Sequence, residues 1–372
     1  MKIIGARVFE ARGSFVARDL YIDDGLISAR DCGGEVLDAS GYYAIPGLTD
    51  VHFHGCKGHD FSDGDAEGME AIAQYELSRG VTQICPAGMT LEEDQLRKVS
   101  EMAAAHRAAG KLGADLCGIH MEGPFLSLAK KGAQNAAWLH APDVEMFHRL
   151  NEASGGLVKL LSIAPEEPGA LEFIRAVSNE VMISIAHTTA DYDTTMAALA
   201  AGAGHVTHLF NAMPAFTHRA PGVVGAAFDT PDCRVELITD GIHIHPAMVR
   251  ATFKLFGADR VVLVSDTMRA AGMPDGEYTL GGQAVTKRGN TATLADGTLA
   301  GSVTDLMDCM RTAVSFGIPL ADAVRAAAVN PARAIGIYSR YGSLDTGKQA
   351  NVVLLDKDLN LKEVIFKGKV VS

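Results

Sequence analysis

Two histidines separated by one residue lie at the end of an apolar stretch near the start of the chain. The stretch covers residues 44–55 and contains His52 and His54. Side chains on a β-strand alternate between its two faces, so residues i and i+2 project to the same side. The spacing therefore allows both imidazoles to bind one metal ion, although the pair alone is equally compatible with two polar residues at a strand end.

Four further residues of metal-binding type lie at the ends of other apolar runs. They are Glu122, His187, His208 and Asp266. Imidazoles combined with carboxylates favour zinc or iron(II), whereas an all-oxygen set favours magnesium or calcium. A single buried histidine is more often a hydrogen-bonded structural residue. The recurrence of such residues at five strand ends predicts a metal site.

Eight apolar runs alternate with amphipathic segments, and this alternation is typical of a parallel α/β protein. The predicted strands are 44–54, 82–87, 116–122, 158–164, 182–187, 205–210, 234–240 and 261–266. Predicted helices between them include 66–79, 91–109, 168–177 and 192–201. The count fits a (β/α)8 TIM-type barrel, in which the carboxyl ends of the strands converge on one face. An open doubly wound sheet is the alternative, but no Gly-rich phosphate fingerprint follows the first strand.

The two ends of the chain have a different sequence pattern. Short β-like pieces occur at 2–8, 15–22, 34–38, 351–355 and 364–371, separated by turn signals. We therefore expect a small β-sandwich domain built from residues 1–45 and 345–372, and a barrel domain over residues 46–344. Within the barrel, the Gly-rich segment 270–299 predicts a hairpin insertion over the mouth, followed by helices at 304–316 and 321–329.

Composition excludes several classes of partner. The 372 residues carry a formal net charge of −12, which argues against binding to nucleic acid or to an anionic membrane surface. An anionic small substrate stays possible through a local basic pocket. We find no signal-peptide core at the start of the chain and no apolar run near the roughly 20 residues that span a bilayer.

Cysteine usage predicts a cytoplasmic location. The six cysteines are scattered and form no CxxC pair, which indicates reduced thiols. Cys56 follows His54 by two residues, and we interpret it as a packed thiol rather than a metal ligand.

Other histidines near the predicted site have several interpretations. His120 shares a strand face with Glu122 but lies deeper, which favours a supporting or structural role. His205, at the start of its strand, is expected to be structural. For His243, on a loop after Asp240, contact with a substrate and a solvated position are equally compatible with the sequence.

Eight short motifs, in this order along nearly the whole chain, resemble one known family. They are PGLTDVHFHG, GIHMEGPF, KKGAQN, IAHT, THLFNAM, DGIH, VSDTM and LAGS. The chain resembles the N-acetylglucosamine-6-phosphate deacetylase family of the amidohydrolase superfamily. The resemblance implies a metal-dependent barrel with a small β domain, a phosphorylated N-acetyl amino sugar as substrate, and a homodimer.

The resemblance also implies roles for individual residues. It implies that Glu122, His187 and His208 hold a main metal, and that His52 and His54 hold a second metal bridged by Glu122. Asp266 matches the catalytic carboxylate. The implied substrate contacts are Ala133, Gln134, Asn211, Ala212, Arg219, His243, Leu299, Ala300 and Gly301. Of these, Arg219 and His243 match phosphate contacts, which in relatives can come from the neighbouring subunit.

Gln134 departs from some relatives, in which a histidine at this position polarises the substrate carbonyl. An amide N–H is a weaker electrophile than an imidazolium, so we expect a second metal at His52 and His54 to compensate.

Two other functions are disfavoured. A dihydroorotase or a ring deaminase usually supplies a bridging lysine from the fourth strand, but here Lys159 lies at the start of that strand. A catalytically silent sugar-phosphate binding protein would lack Asp266 or a ligand, and all are present. The sequence does not separate glucosamine from galactosamine configuration, because one epimeric hydroxyl distinguishes them.

Overall fold

A computed structural model describes residues 1–110 and 112–371. The first seven strands are short and are separated by turns. They are β1 (Lys2–Ile4), β2 (Arg7–Glu10), β3 (Ser14–Ala17), β4 (Leu20–Asp23), β5 (Leu26–Ser28), β6 (Val36–Asp38) and β7 (Tyr43–Pro46). The Asp24–Gly25 turn between β4 and β5 has positive φ at both residues, as an Asp-Gly hairpin turn requires.

Parallel strands then follow one another around the central core. One small antiparallel hairpin, formed by β9 (Gly55–Cys56) and β10 (His59–Asp60), lies among them. The parallel strands are β8 (Leu48–Asp50), β11 (Val81–Ile84), β12 (Ala87–Gly88), β13 (Asp115–Leu116), β14 (Ile119–Met121), β15 (Val158–Ile163), β16 (Met182–Ile185), β17 (His205–Val206), β18 (Arg234–Ile238) and β19 (Val261–Val264). Strands β13, β11 and β8 form one parallel sheet, and β12 with β14 to β19 form a seven-stranded one.

Backbone hydrogen bonds join these two sheets. Ala87 N–H donates to Phe53 C=O at 2.7 Å, and Asp266 N–H donates to His52 C=O at 2.9 Å. The second bond links the segment after β19, the last of the parallel strands, to the segment after β8, the first of them. The eight predicted strand regions are therefore all present in chain order, in two parallel sheets that these bonds join.

The first predicted strand, 44–54, is wrong as a single element. It divides at Gly47 into β7, which pairs with terminal strands, and β8, which pairs with β11. A Cβ on Gly47 would lie 1.9 Å from the Thr82 hydroxyl oxygen, so the backbone passes too close to β11 for any side chain. The apolar run continues through this break because both parts are buried, and periodicity alone does not reveal it.

Helices cover the outside of the parallel strands. They are α1 (Ala66–Ser78), α2 (Glu93–Ala109), α3 (Val144–Ala153), α4 (Ala170–Val177), α5 (Tyr192–Ala201), α6 (Gly222–Asp229), α7 (Pro246–Phe256), α8 (Leu306–Ser315), α9 (Leu320–Val324) and α10 (Asn330–Ala334), with a π-helical stretch at Arg325–Val329 between the last two. Aspartates cap α1, α3, α5 and α8 through hydrogen bonds to the first-turn N–H groups. Among the described residues, no helix combines the length and apolar character needed to cross a bilayer.

An antiparallel insertion follows the last barrel strand, as the Gly-rich segment predicts. It consists of β20 (Gly276–Leu280), β21 (Gln283–Arg288) and β22 (Thr291–Thr293). Its apolar side packs on Met89 and Met268, which lie after barrel strands. The insertion is therefore fixed at the mouth of the barrel by its own small core.

The C-terminal strands return to the N-terminal ones. Strands β23 (Val352–Leu355), β24 (Leu361–Phe366) and β25 (Lys369–Val370) join β7, β2 and β3 in a six-stranded sheet, while β5, β4, β1 and β6 form a second sheet. Ile3, Ile22, Val352 and Leu354 belong to one buried apolar cluster that both sheets share. Both termini thus contribute to these sheets, and the division into domains at residues 45 and 345 stays a prediction.

Candidate metal centre and substrate cavity

His52 and His54 lie just beyond β8 rather than on it. The segment is nevertheless held in place at both residues, because Asp266 N–H donates to His52 C=O and His54 N–H donates to Thr267 C=O at 2.7 Å. Asp50 side-chain Oδ1 also accepts from His52 N–H at 3.1 Å. This backbone pairing positions both imidazoles at the mouth without a regular strand.

Three of the six residues at the predicted metal centre have left-handed backbone conformations. The φ angles of His187, His208 and Asp266 are 43°, 28° and 50°. Such values are uncommon for residues other than glycine and concentrate at functional sites. Each residue turns the chain sharply at the end of its strand, which aims its side chain across the mouth.

The carboxylate of Glu122 lies at the centre of four imidazoles. Its Oε1 is 3.2 Å from the Nε2 atoms of both His187 and His208 and 3.3 Å from Nε2 of His52. Its Oε2 is 3.3 Å from Nε2 of His54, which lies 3.3 Å from Oδ1 of Asp266. All six side chains predicted from the sequence therefore meet in one small volume.

These residues form clusters that could hold a divalent metal. Glu122, His187 and His208 form one cluster whose ligand atoms lie within 4.8 Å of one another, and His52, His54 and Asp266 form a second. The buried Nε2 of His52 has no hydrogen-bond partner among the described residues, so a metal would supply its missing contact. Nitrogen and oxygen donors in this proportion suit zinc or iron.

Hydrogen bonds to the opposite ring nitrogens orient three of the histidines. The Nδ1 atoms of His54 and His187 lie 3.1 Å and 2.8 Å from the carbonyl oxygens of Ala87 and Lys130. A carbonyl oxygen only accepts, so each Nδ1 carries a proton and each Nε2 faces the centre. Nδ1 of His52 lies 2.7 Å from Oε2 of Glu236, which orients this ring in the same way.

The electrostatics of the centre favour ionised carboxylates. Burial opposes charge on Glu122, but charged His52 and hydrogen bonds from His187 and His208 hold the pKa of its carboxyl well below the usual value. Burial likewise opposes charge on Asp266, yet the hydrogen bond from His54 lowers its pKa. Burial also lowers the pKa of His52, but Glu236 and Glu122 together raise it well above the usual value. The carboxylates are thus available to cations at neutral pH.

A cavity of about 360 Å³ opens above the centre. His54, Glu122, His187, His208 and Asp266 form part of its wall. Seven of the nine predicted substrate residues also line it: Ala133, Gln134, Asn211, Ala212, His243, Leu299 and Gly301. A larger cleft of about 1040 Å³ at the opposite end of the strands contains none of the predicted site residues.

The other two predicted substrate residues do not line this cavity. Ala300 is fully buried behind the wall, where its N–H donates to Ala292 C=O. Arg219 is exposed on the loop before α6. A phosphate contact from Arg219 within the same chain is therefore not supported by its position.

Gln134 makes contacts that the sequence does not predict. Its Nε2 donates to Oε2 of Glu122 at 2.9 Å, and its Oε1 accepts from the Thr90 N–H at 2.7 Å. The amide thereby braces the carboxylate that lies between the four imidazoles. Nδ1 of the nearby His243 imidazole donates to Oδ2 of Asp240 at 2.7 Å, which fixes the ring at the cavity wall.

Sequence reasoning missed Glu236, Lys130 and Gln283 at this site. Lys130 lines the cavity and stands in the KKGAQN motif, so its position could have been noticed. Glu236 is a charge in the middle of the apolar strand β18, which is an unusual place for a carboxylate and a usable signal. Gln283 donates to Ala133 C=O from the insertion, and nothing in its local sequence indicates this contact.

The supporting residues are placed as expected. His120 lies below the centre, with Nε2 2.8 Å from the Ser162 hydroxyl, and His205 is fully buried. Cys56 is buried, belongs to none of the metal-type clusters found among the described residues, and burial raises the pKa of its thiol. All six cysteines are free thiols.

Comparisons with known proteins agree with this geometry. Residues 43–371 match the amidohydrolase family. The chain is 38% identical over 331 residues to N-acetylglucosamine-6-phosphate deacetylase of Bacillus subtilis, covering 88% of this chain and 84% of that protein. It is 32% identical to N-acetylgalactosamine-6-phosphate deacetylase of Escherichia coli O157:H7, covering 98% of each.

Solved structures give the same result. The chain superposes with a TM-score of 0.93 and 33% identity on N-acetyl-D-glucosamine-6-phosphate deacetylase from Mycobacterium smegmatis, covering 100% of both chains. A mutant of that enzyme has been solved in complex with N-acetyl-D-glucosamine-6-phosphate. The Thermotoga maritima enzyme gives a TM-score of 0.91 at 27% identity, covering 100% of this chain and 99% of that one. The chain belongs to the amidohydrolase family and, within it, to the N-acetylglucosamine-6-phosphate deacetylases.

Proposed function

We propose that this chain hydrolyses the acetamide of N-acetylglucosamine-6-phosphate, giving glucosamine-6-phosphate and acetate. One observation carries the proposal: four imidazoles surround the Glu122 carboxylate on the wall of a cavity that Asp266 also lines. The relatives with this activity support the choice of substrate. The arrangement is that of a metal-dependent amide hydrolase.

Two divalent metals, zinc or iron, complete the proposed centre. Glu122, His187 and His208 would hold one, and His52 and His54 would hold the other with Glu122 between them. Such metals, when bound, lower the pKa of a water molecule toward about 7 and polarise a carbonyl group. The chain itself supplies the shape of the cavity and the proton transfer.

Asp266 is the proposed proton-transfer residue. Its carboxylate lines the cavity, and its pKa is lowered despite burial by the neighbouring imidazoles of His54 and His52. It therefore starts as a base at neutral pH and takes the proton of the attacking water. It then donates that proton to the amine nitrogen as the C–N bond breaks, so one group acts as base and then as acid.

The cavity wall supports binding of the sugar by short-range contacts. Asn211 with Ala212, and Leu299 with Gly301, present two backbone segments on opposite loops. His243 supplies a donor for the phosphate: burial lowers its pKa, but Asp240 and Asp266 raise it above the usual value. An imidazole of raised pKa is suited to binding an anion.

Arg219 supports a proposal about assembly. It is exposed and lies outside the cavity wall of its own chain. In a homodimer its guanidinium would instead contact the phosphate bound by the partner subunit. Sedimentation velocity measures the assembly state directly, and a monomer at assay concentration would contradict this proposal. A cytoplasmic location remains a prediction from cysteine usage.

The first test is acetate release from N-acetylglucosamine-6-phosphate and from its galactosamine epimer, with metal content measured on the same preparation. We expect strong preference for the glucosamine compound and about two metals per chain. Preference for the epimer would favour the second candidate, for which the Escherichia coli relative at 98% coverage gives specific support. No release from either compound by fully metallated protein would overturn the proposed function.

The second metal is tested by the variant His52→Ala. Because Gln134 is a weak electrophile, we expect this variant to lose one metal and most of its turnover, a fall of about 10²-fold or more. Exposed His148, which pairs with Glu180 far from the cavity, provides the control His148→Ala. Full activity of His52→Ala with one bound metal would contradict the two-metal proposal.

A further inference from the structure

A chain of buried polar side chains crosses the barrel beneath the metal centre. Ser184 Oγ is 3.1 Å from Nδ1 of His205 and 2.6 Å from the Thr207 hydroxyl, which is 2.9 Å from Ser162 Oγ. Ser162 in turn contacts His120. Barrel interiors are usually filled by branched apolar residues, so polar residues at these positions need a reason.

Glu236 connects this interior to the metal centre. Its side chain is fully buried on β18, and one oxygen, Oε2, has two contacts. It lies 2.7 Å from Nδ1 of His52 and accepts from the His208 backbone N–H at 3.0 Å. The other oxygen, Oε1, lies 3.7 Å from Nδ1 of His205 and has no hydrogen-bond partner among the described residues.

The two contacts of Oε2 belong to different halves of the centre. His52 belongs to the cluster with His54 and Asp266, whereas His208 belongs to the cluster with Glu122 and His187. A carboxylate facing Nδ1 keeps a proton on that nitrogen, which leaves Nε2 of His52 as the ring atom directed at the metal side. The His120 ring, 4.6 Å away and edge-on, packs against His52 from below.

We propose that Glu236 is a positioning residue: a single buried carboxylate oxygen sets the tautomer and orientation of His52 and ties it to the chain segment that carries His208. The inference rests on the proposed two-metal centre. Glu236 touches neither the cavity nor the substrate, so it acts only through these ligands. Its predicted effect is on the affinity for the second metal, because His208 depends on it through a backbone contact alone.

Three substitutions of Glu236 distinguish a role in positioning His52 from a role in core packing alone. Glu236→Gln keeps an acceptor oxygen for both donors and places its NH₂ where Oε1 has no hydrogen-bond partner. Glu236→Asp keeps the charge but withdraws the oxygen by one methylene. Glu236→Leu removes the acceptor at similar volume, which leaves the His52 ring free to rotate and two donors unpaired.

The measurement is metal affinity, which needs no substrate. Apo-protein is titrated with zinc in a chelator buffer, and the visible spectrum of the cobalt(II)-loaded protein reports the ligand geometry. We expect the Asp and Leu variants to bind the second metal about 10- to 100-fold more weakly, with the first metal retained. We expect the Gln variant to bind both metals like the wild type and to keep its cobalt spectrum.

Glu76 provides a matched control, because it is an equally buried glutamate that touches no predicted metal ligand in the described contacts. Glu76→Gln should leave both metal affinities unchanged. Circular dichroism identifies variants that do not fold. If Glu236→Leu does not fold, the folded Glu236→Asp variant is enough to test the proposal.

Wild-type affinity for the second metal in a folded Asp or Leu variant would overturn the proposal. So would a Gln variant as weak as the Asp variant, because an acceptor oxygen kept in place would then not preserve the affinity for the second metal. If the wild type binds two metals but releases no acetate, the proposed function fails while this inference stands.

Discussion

At the scale of single residues, Glu122 illustrates how this centre can exist. A buried carboxylate is costly unless it is paired and hydrogen-bonded. Glu122 receives contacts from His52, His187 and His208 on one oxygen, and from His54 and Gln134 on the other. This pairing keeps the carboxylate ionised, which suits it to hold a cation together with His187 and His208.

Asp266 gives the sharpest prediction at this scale. The variant Asp266→Asn keeps the shape of the side chain but no longer accepts or returns a proton. We expect kcat for acetate release to fall by about 10²- to 10⁴-fold, the usual contribution of general acid–base catalysis. Metal held by Glu122, His187 and His208 should be retained, as elemental analysis would check.

The matched control for that variant is Asp193→Asn, on the exposed side of α5. It should leave kcat unchanged. Wild-type turnover of folded, metallated Asp266→Asn would show that another group transfers the proton.

At the scale of elements, the site depends on where strands end. The strands that precede His187, His208 and Asp266 end two residues before these left-handed turns, just as β8 ends two residues before His52. Backbone hydrogen bonds from the neighbouring strand ends then hold the loop that carries His52 and His54. The ligands are thus placed by backbone pairing between elements distant in sequence.

The prediction at the scale of elements concerns the substitution Gly47→Ala. In Gly47→Ala the new Cβ would lie 1.9 Å from Thr82 Oγ1 and 2.7 Å from its Cγ2, so β8 and β11 must separate. We expect the free energy of unfolding to fall by about 1–3 kcal/mol, the usual cost of overpacking. Urea denaturation monitored by circular dichroism measures it.

Gly88, in β12, is the matched control glycine. A Cβ there would meet only Phe61, at 4.0 Å, so Gly88→Ala should cost clearly less. Equal losses for the two variants would show that the close approach of Gly47 to Thr82 does not determine the stability of this strand pair.

At the scale of the whole molecule, buried carboxylates outside the site link stability to pH. Glu76 on α1 is fully buried, and neither of its oxygens has a hydrogen-bond partner among the described residues. Burial, together with the charges of Asp50 and Asp305, raises its pKa well above the usual value, against the opposing effect of Arg79. The folded chain therefore holds Glu76 in its neutral form over a wider pH range than the unfolded chain does.

The sign of the pH dependence follows from this raised pKa. The stabilisation is complete below the unfolded pKa of about 4.3 and is lost as pH rises toward the folded pKa. Relative to Glu76→Gln, which stays neutral, the wild type should lose roughly 1.4 kcal/mol of unfolding free energy per pH unit in that interval. Urea denaturation of both proteins between about pH 5 and pH 8 measures the difference.

The control for pH is Glu35→Gln, at an exposed position between β5 and β6. Its stability should follow the wild type at every pH. A constant difference between Glu76→Gln and the wild type across this range would show that Glu76 is ionised in the folded protein.

The sequence by itself determined the order of strands and helices, the six residues that meet at the candidate metal centre, and the family. These follow from local patterns: apolar periodicity predicts elements, and the parallel-barrel rule brings residues at strand ends together. Only the tertiary structure decided that the first strand divides at Gly47, that Arg219 lies outside the cavity, and that Glu236 supports His52. Glu236 is 184 residues from His52, and the Gly47 break depends on the Thr82 side chain. Such facts depend on packing between distant segments, which no local pattern encodes.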